Sequence, residues 1–334
     1  MKTLLPQTMS AVFVKPETGK LFTKTVPVPK PGKGEVLIRM LAAPINPSDL
    51  AKVRELKAEE ASTFVPGIEG CGRVVAAGKG VLPPLFLGKR VAFFAKYPSS
   101  GSWAEYVLTT AGSCFPVSKN IADEQASMAI VNPMTALAFL DFAKKNNHKS
   151  VVLTAAGSAL GKMAYSLFAK NQIKVLNMVR NELSTEALKK EGRKNVLGSS
   201  EKDFQLQFKK WCSENKAKLL LDAVGGEFLS GLLPGLPAGS TILLYGNLSQ
   251  QKIEFLPTEL LRENKKIIGF FLGHWIEENG MLKTLRNLIK VNNLLKGGME
   301  TRVQATFPLN KTQEAVKLYE KNMSLGKVVL KSNS

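Results

Sequence analysis

VVLTAAGSALG, residues Val151 to Gly161, passes from a β-branched apolar run into small residues and then into a helix-forming segment, KMAYSLFAK (Lys162 to Lys170). That order predicts strand, tight turn, helix. A turn of this kind aims backbone N–H groups and the positive end of a helix at an anion, and small residues let a dinucleotide pyrophosphate approach the backbone. The glycines of a G-x-G-x-x-G pattern fall at Ala156, Ser158 and Gly161, so the third alone is kept, and small-residue turns that bind nothing are common. If a nucleotide sits here, its contacts come from Ala156, Gly157, Ser158, Ala159, Leu160 and Gly161.

The next strand, KVLNMV (Lys174 to Val179), ends about 20 residues past the turn, where an acidic side chain normally accepts hydrogen bonds from the ribose hydroxyls of NAD. Arg180 stands there, followed by Asn181. A guanidinium cannot accept, but it matches a phosphate in charge and shape, which favours NADP(H). The alternative is a solvated arginine at a strand end of a basic chain.

Downstream the pattern alternates: a polar helix near Ser184 to Glu191, an amphipathic stretch near Phe204 to Lys216, and buried strands LLLDAV (Leu219 to Val224), TILLY (Thr241 to Tyr245) and KIIGFFL (Lys266 to Leu272). Such alternation predicts an α/β, doubly wound parallel sheet over residues 126–272, with Val224, Tyr245, Gly246, Phe271 and Leu272 on the carboxyl edge, where a cofactor binds. Upstream, SAVFVK, EVLIRMLAA, GIEGCGRVV, GKRVAFF and GSWAEYV read as short strands with glycine turns, a compact β-rich domain. DEQASMAIVNPMTALAFLDFAKK is helical with an interruption at Pro133. A helix (MLKTLRNLIKVNNLL), a strand (TRVQATF), a helix (NKTQEAVKLYEKN) and a strand (GKVVLKS) follow Trp275 and return to the first domain. The expected domains are therefore 1–125 with 273–334, and 126–272, with Pro133 and Gly273 as hinges near the crossings.

A chain of 334 residues exceeds the usual single-domain size, and 44% hydrophobic residues suffice for a sizeable core. The net charge of +19 would point to nucleic acid or an acidic membrane if clustered. It is spread along the chain, so nucleic acid is not expected, and a basic surface that attracts an anionic substrate or cofactor is. Cys71, Cys114 and Cys212 are odd in number and far apart, which fits reduced thiols inside a cell. The N-terminal MKTLLPQTMS lacks the apolar core of a secretory signal, and no window is long enough to span a bilayer. No membrane partner is expected. The expected location is cytoplasmic, with a mitochondrial one as the alternative.

With these pieces laid out, the chain resembles the medium-chain dehydrogenase/reductase superfamily, in its zinc-free branch of quinone oxidoreductases and mitochondrial-type 2-enoyl thioester reductases. GEVLIRMLAAPINPSDL, PGIEGCGRVVAAG, GSWAEYV, VNPMTAL, DAVGG, LLYGN and GFFLGHW fall in that family's order nearly end to end. The resemblance implies a GroES-like catalytic domain split around a Rossmann cofactor domain, with the active site in the cleft between them. It also implies no zinc site. Zinc-dependent relatives carry Cys where Asn46 stands and His-Glu where Ile68-Glu69 stand, and Ile68 ligates nothing.

Carried over residue by residue, the resemblance makes Thr135 a neighbour of the nicotinamide, or else a helical threonine bonded to its own backbone. Trp275 matches a tryptophan that follows the last Rossmann strand in thioester reductases. Their proton-donating tyrosine has no counterpart in Leu50 to Phe64; Tyr97 is the nearby replacement, or a loop tyrosine with a wet hydroxyl. Asn46 either hydrogen-bonds a carbonyl oxygen or the nicotinamide ribose, or caps the helix that Pro47 begins. Glu69 reads as a structural charge, and His148 and His274 as non-catalytic. The expected activity is NADPH-dependent, metal-free hydride transfer to a quinone or α,β-unsaturated carbonyl. The alternatives are enoyl-CoA/ACP reduction and a non-catalytic nucleotide- or RNA-binding role. The apolar strand Ile267 to Leu272 suggests a homodimer.

Overall fold

An apolar, β-branched run gives β1 (Thr8–Val14), buried over its last four residues, which pairs antiparallel with β2 (Leu21–Pro27) in a separate two-stranded sheet of the computed structural model. The structure describes residues 5–61, 63–96 and 100–332. β3 (Glu35–Pro44) is buried along most of its length, and Pro47 then opens α1 (Pro47–Glu55), its fixed φ suiting a first helical position. α2 (Ala58–Ala61), β4 (Glu69–Ala77), β5 (Arg90–Phe94), β6 (Tyr106–Thr110), β7 (Cys114–Pro116) and α3 (Asp123–Ser127) follow. GSWAEYV is therefore strand only from Tyr106. The preceding Trp103 is fully buried, its indole N–H donating to the Pro44 carbonyl at 3.3 Å, and only an isolated bridge, Ala104 to Ala11, pairs the segment before Tyr106.

The second run begins with α4 (Val131–Lys145), unbroken at Pro133, then β8 (Ser150–Leu153), α5 (Ala159–Lys170), β9 (Lys174–Val179), α6 (Glu182–Lys190), β10 (Val196–Gly198), α7 (Phe204–Glu214), β11 (Leu219–Asp222), α8 (Gly226–Leu232), β12 (Thr241–Leu244), α9 (Pro257–Leu261), β13 (Lys266–Gly269) and α10 (Leu272–Lys296). These strands form a six-stranded parallel sheet in the order β10-β9-β8-β11-β12-β13. That is the doubly wound order 3-2-1-4-5-6, whose reversal lies between β8 and β11. β14 (Val303–Pro308), α11 (Thr312–Lys321) and β15 (Lys327–Lys331) close the chain. β14 and β15 join the other sheet, ordered β14-β15-β3-β4-β5-β7, with β6 on β3.

The chain divides into residues 1–131 with 288–334, and residues 132–287. The first unit has its core around Ile38, Phe93, Trp103, Val107 and Leu330; the second is built on Val152, Leu176, Phe208, Leu220 and Ile242. The apolar run expected as one buried strand is strand only to Gly269 and becomes helix at Leu272. β13 is mostly exposed and ends the sheet, with no strand paired on its outer side among the described residues. The interruption in α10 falls at Gly280 (φ 70°), not at Gly273.

Candidate active site

Strand β8 ends at Leu153, on the carboxyl edge where the sheet order reverses. Ala155 takes a left-handed φ of 48°, which turns the chain back, and Ser158 caps α5 by accepting the Gly161 N–H on its hydroxyl at 3.0 Å. Gly161 is needed for close approach: a Cβ there would lie 2.7 Å from both the Ala155 and Ala156 carbonyl oxygens. Gly157, by contrast, faces open space, its nearest neighbour for a Cβ being Val179 at 4.0 Å. Ala159 and Leu160 occupy the first turn of α5.

The turn is held from behind. The Ala156 N–H donates to the Met178 carbonyl at 3.1 Å, and its carbonyl accepts from the buried Arg193 guanidinium at 3.1 Å. Arg193 also donates to Asn177 Oδ1 at 3.3 Å and lies 4.5 Å from the Tyr165 ring centroid. The Thr154 hydroxyl donates to Asp222 Oδ1 at 2.7 Å and accepts the Ala223 N–H at 2.9 Å, tying the ends of β8 and β11 together. Asp222 Oδ2 takes the Gly225 N–H at 2.7 Å; burial raises its pKa, against the pull of these donors.

Arg180 is exposed at the carboxyl end of β9, and its guanidinium has no hydrogen-bonding or ionic partner among the described residues; its carbonyl accepts from the Ser199 hydroxyl at 3.0 Å. Val224 is half-buried beyond β11. Tyr245 packs on Phe139, ring centroids 4.7 Å apart, and burial pushes its phenol pKa up. At Gly246 a Cβ would meet the Ala223 carbonyl at 2.8 Å. Thr135 is buried in α4. Phe271 is exposed beside His274, and Leu272 and Trp275 are half-buried, with the Lys283 ammonium 5.7 Å from the Trp275 ring.

The first unit brings its polar candidates into one buried cluster. Asn46, 1% exposed, donates from Nδ2 to Glu69 Oε1 at 3.0 Å and accepts on Oδ1 from the Lys327 ammonium. Lys327 also donates to the Ile45 carbonyl at 3.0 Å. Asp49 accepts the Asn46 N–H at 2.8 Å and the Ile68 N–H at 3.0 Å, and Glu69 Oε2 accepts the Val131 N–H at 2.9 Å at the start of α4. Desolvation pushes Asp49 up to about 7 and raises Glu69 as well, opposed by these donors and by Lys327. Both ends of the Asn46 amide are thus engaged by protein groups. Tyr97 lies outside the described residues.

Two family profiles match the chain, the alcohol dehydrogenase GroES-like domain over residues 32–119 and zinc-binding dehydrogenase over residues 159–287. A mitochondrial enoyl-[acyl-carrier-protein] reductase of Arabidopsis thaliana is 30% identical over 265 residues, 77% of this chain and 69% of that protein. The same enzyme of Caenorhabditis elegans is 30% identical over 268 residues, 78% of this chain and 75% of that one. The chain belongs to the medium-chain dehydrogenase/reductase superfamily. Among solved structures, a Mesorhizobium loti protein named as a candidate NADPH:quinone reductase superposes with a TM-score of 0.88 at 28% identity, over 98% of this chain and all of that one. As a superfamily member this chain is a reductase enzyme of the oxidoreductase class.

Although one profile carries zinc in its name, the donor set of this family member does not fit the ion. Zinc takes three or four N, S or O ligands. Ile68 offers none, Asn46 is engaged, and no group of three His, Cys, Asp or Glu among the described residues converges on a point. The three cysteines lie apart and buried, their thiols pushed up to about 12 by desolvation, so none is a ready thiolate. Asp49, Thr154, Asp222, Lys327 and Arg193 were not singled out by sequence reasoning, and Lys327 and Arg193 are the two cations among them. Each of these two carries a signal visible only in hindsight, a cation inside an otherwise apolar or structured segment.

Proposed function

We propose that this reductase binds NADPH along the carboxyl edge of its six-stranded sheet and transfers a hydride to a conjugated acceptor, a quinone or an α,β-unsaturated carbonyl, with no zinc taking part. The observation that carries the coenzyme is Arg180, an unpartnered guanidinium at the end of β9 with no acidic side chain in its place. The N–H groups of Gly157, Ala159 and Leu160 at the turn into α5 hold the pyrophosphate, that of Ser158 being taken by the Ala155 carbonyl at 2.9 Å, and Gly157 leaves room for it. NADPH supplies the hydride when bound. Thr135, Val224, Tyr245, Gly246, Phe271 and Leu272 shape the nicotinamide side, and Trp275 faces the acceptor. Asn46 serves as a positioning residue, fixing the turn before α1 through Glu69 and Lys327, and Tyr97 is the candidate proton donor.

Replacing Arg180 with Asp should weaken NADPH binding by about 1–3 kcal/mol and leave NADH binding nearly unchanged. Equal effects on both coenzymes would remove Arg180 from the site. The acceptor is identified by turnover of quinones, enones and enoyl-CoA with each nicotinamide. Turnover restricted to enoyl thioesters, favoured by the 30% identity to enoyl-[acyl-carrier-protein] reductases, would replace the quinone and enone reading. The same relatives, mitochondrial by name, favour a mitochondrial location over a cytoplasmic one. We also assign a homodimer, paired through the exposed edge of β13.

A further inference from the structure

The hairpin joining β4 to β5 reads GKGVLPPLFLGK over residues 78–89. Val81 is 90% exposed, Leu82 43%, Leu85 58% and Leu87 56%. Four large apolar side chains grouped on one short loop differ from the single exposed apolar residues normal on a surface. The loop is nevertheless anchored: Pro83 is buried and Phe86 packs against the core of the first unit. Several of its backbone donors are also paired. The Leu85 N–H bonds to the Leu82 carbonyl at 3.1 Å, Leu87 to Pro84 at 3.2 Å, Gly88 to Val74 at 2.9 Å and Lys89 to Phe86 at 2.9 Å, while Pro83 and Pro84 have no N–H. At the interfacial layer, where water and headgroup oxygens reach the remaining tip N–H groups, a loop built this way can bury its apolar side chains without stranding those donors.

Cations ring the tip. Lys79 and Lys89 flank it and are exposed, and Arg73 lies against it, its guanidinium donating to the Gly88 carbonyl at 2.9 Å. The Gly34 N–H donates to the Lys79 carbonyl at 2.8 Å, which brings the exposed Lys33 alongside. No Asp or Glu occurs between Glu69 and Glu105, so the segment offsets none of this charge itself, and the whole chain carries +19. Apolar side chains at a tip and lysines at its base are the arrangement that suits the interface of a bilayer with acidic headgroups.

We propose that the β4–β5 hairpin is a peripheral docking site for an anionic lipid surface, with Val81, Leu82, Leu85 and Leu87 entering the interfacial layer and Lys79, Lys89 and Arg73 meeting lipid phosphates. This is adsorption, not spanning; no helix among the described residues is long and apolar enough to cross a membrane. The probe is co-sedimentation of the full chain with phosphatidylcholine vesicles, pure or containing phosphatidylglycerol. Binding is expected only to the mixed vesicles and should weaken as salt is raised. The double variant V81S/L85S leaves the net charge untouched and should bind about ten-fold more weakly or less, since it removes apolar area alone. K79S/K89S should weaken binding too, with a shallower salt dependence. Both variants change exposed side chains, and thermal unfolding checks that they fold. Three results would overturn the proposal: no binding of the unmodified chain, equal binding by V81S/L85S, which would assign adhesion to overall charge, or a change of sedimentation of V81S/L85S without vesicles, which would assign the patch to a second copy of the chain.

Discussion

At Gly161 the absence of a side chain sets the distance between α5 and the turn that precedes it. A methyl group would meet two backbone oxygens at 2.7 Å, and backbone cannot yield as a flexible side chain does. Gly161→Ala should therefore cost about 1–3 kcal/mol of stability and weaken coenzyme binding, read by denaturant unfolding and titration with NADPH. Asp49 makes a pH-dependent prediction. Its pKa is raised to about 7 by desolvation, so between about pH 4 and pH 7 the folded chain holds a proton that the unfolded chain has released. That contribution to stability is present at low pH and lost as pH rises through the window. Asp49→Asn cannot titrate, and it also turns an amide N–H towards one of two backbone donors, from Asn46 or Ile68, at a loss of about 1–3 kcal/mol. The variant should thus be less stable than the parent at pH 5 and gain on it by about 2–4 kcal/mol by pH 8. A difference constant with pH would mean that Asp49 is ionised throughout.

Among the elements, β15 does more than complete a sheet. Its first residue, Lys327, is a fully enclosed cation that joins the turn before α1 to Glu69 through the Asn46 amide, and Glu69 in turn caps α4. Lys327→Met would leave two buried carboxylates without their cation. We expect about 3–5 kcal/mol of lost stability at pH 8 and a smaller loss at pH 5, where Asp49 is protonated; equal losses at both would make the role of Lys327 one of packing alone. This junction also marks where the sequence stops being readable. The βαβ alternation from Val151 to Tyr245 is legible because strand and helix periods are local properties, and so is the strand–turn–helix around Gly161. Lys327 lies 281 residues from Asn46, and no local pattern links them. Asn46, accordingly, was readable as a polar residue before a proline but not as one whose amide is already bonded at both ends. Arg193, 37 residues from the Ala156 carbonyl it holds, was hidden for the same reason. KIIGFFL misled in another way: an apolar run looks buried whether it is covered by the same chain or left open at an edge.

For the whole molecule, that open edge is the feature that asks for a second copy. An exposed strand is a row of unsatisfied donors and acceptors, and proteins blunt such edges with charge, proline or a covering element. β13 begins with the exposed Lys266, but Ile268 is 40% exposed and the strand carries no proline. The Lys266 and Phe270 N–H groups point inward, to the Ser240 and Leu244 carbonyls at 2.9 and 2.8 Å. By the alternation of a ladder, the N–H groups of Ile267 and Gly269 then point outward, available to a partner strand. Gly269 has open space where a side chain would be, so Gly269→Pro should remove one outward donor and set a ring in the path of a second β13 without disturbing β12. The unmodified chain should sediment as a dimer. The variant should dissociate at least about ten-fold more readily, since 1.4 kcal/mol already corresponds to that factor, and its thermal unfolding at saturating NADPH should change little. Identical sedimentation of the two would place the dimer contact elsewhere on the chain, with the exposed Leu282 of α10 next in line for a substitution test.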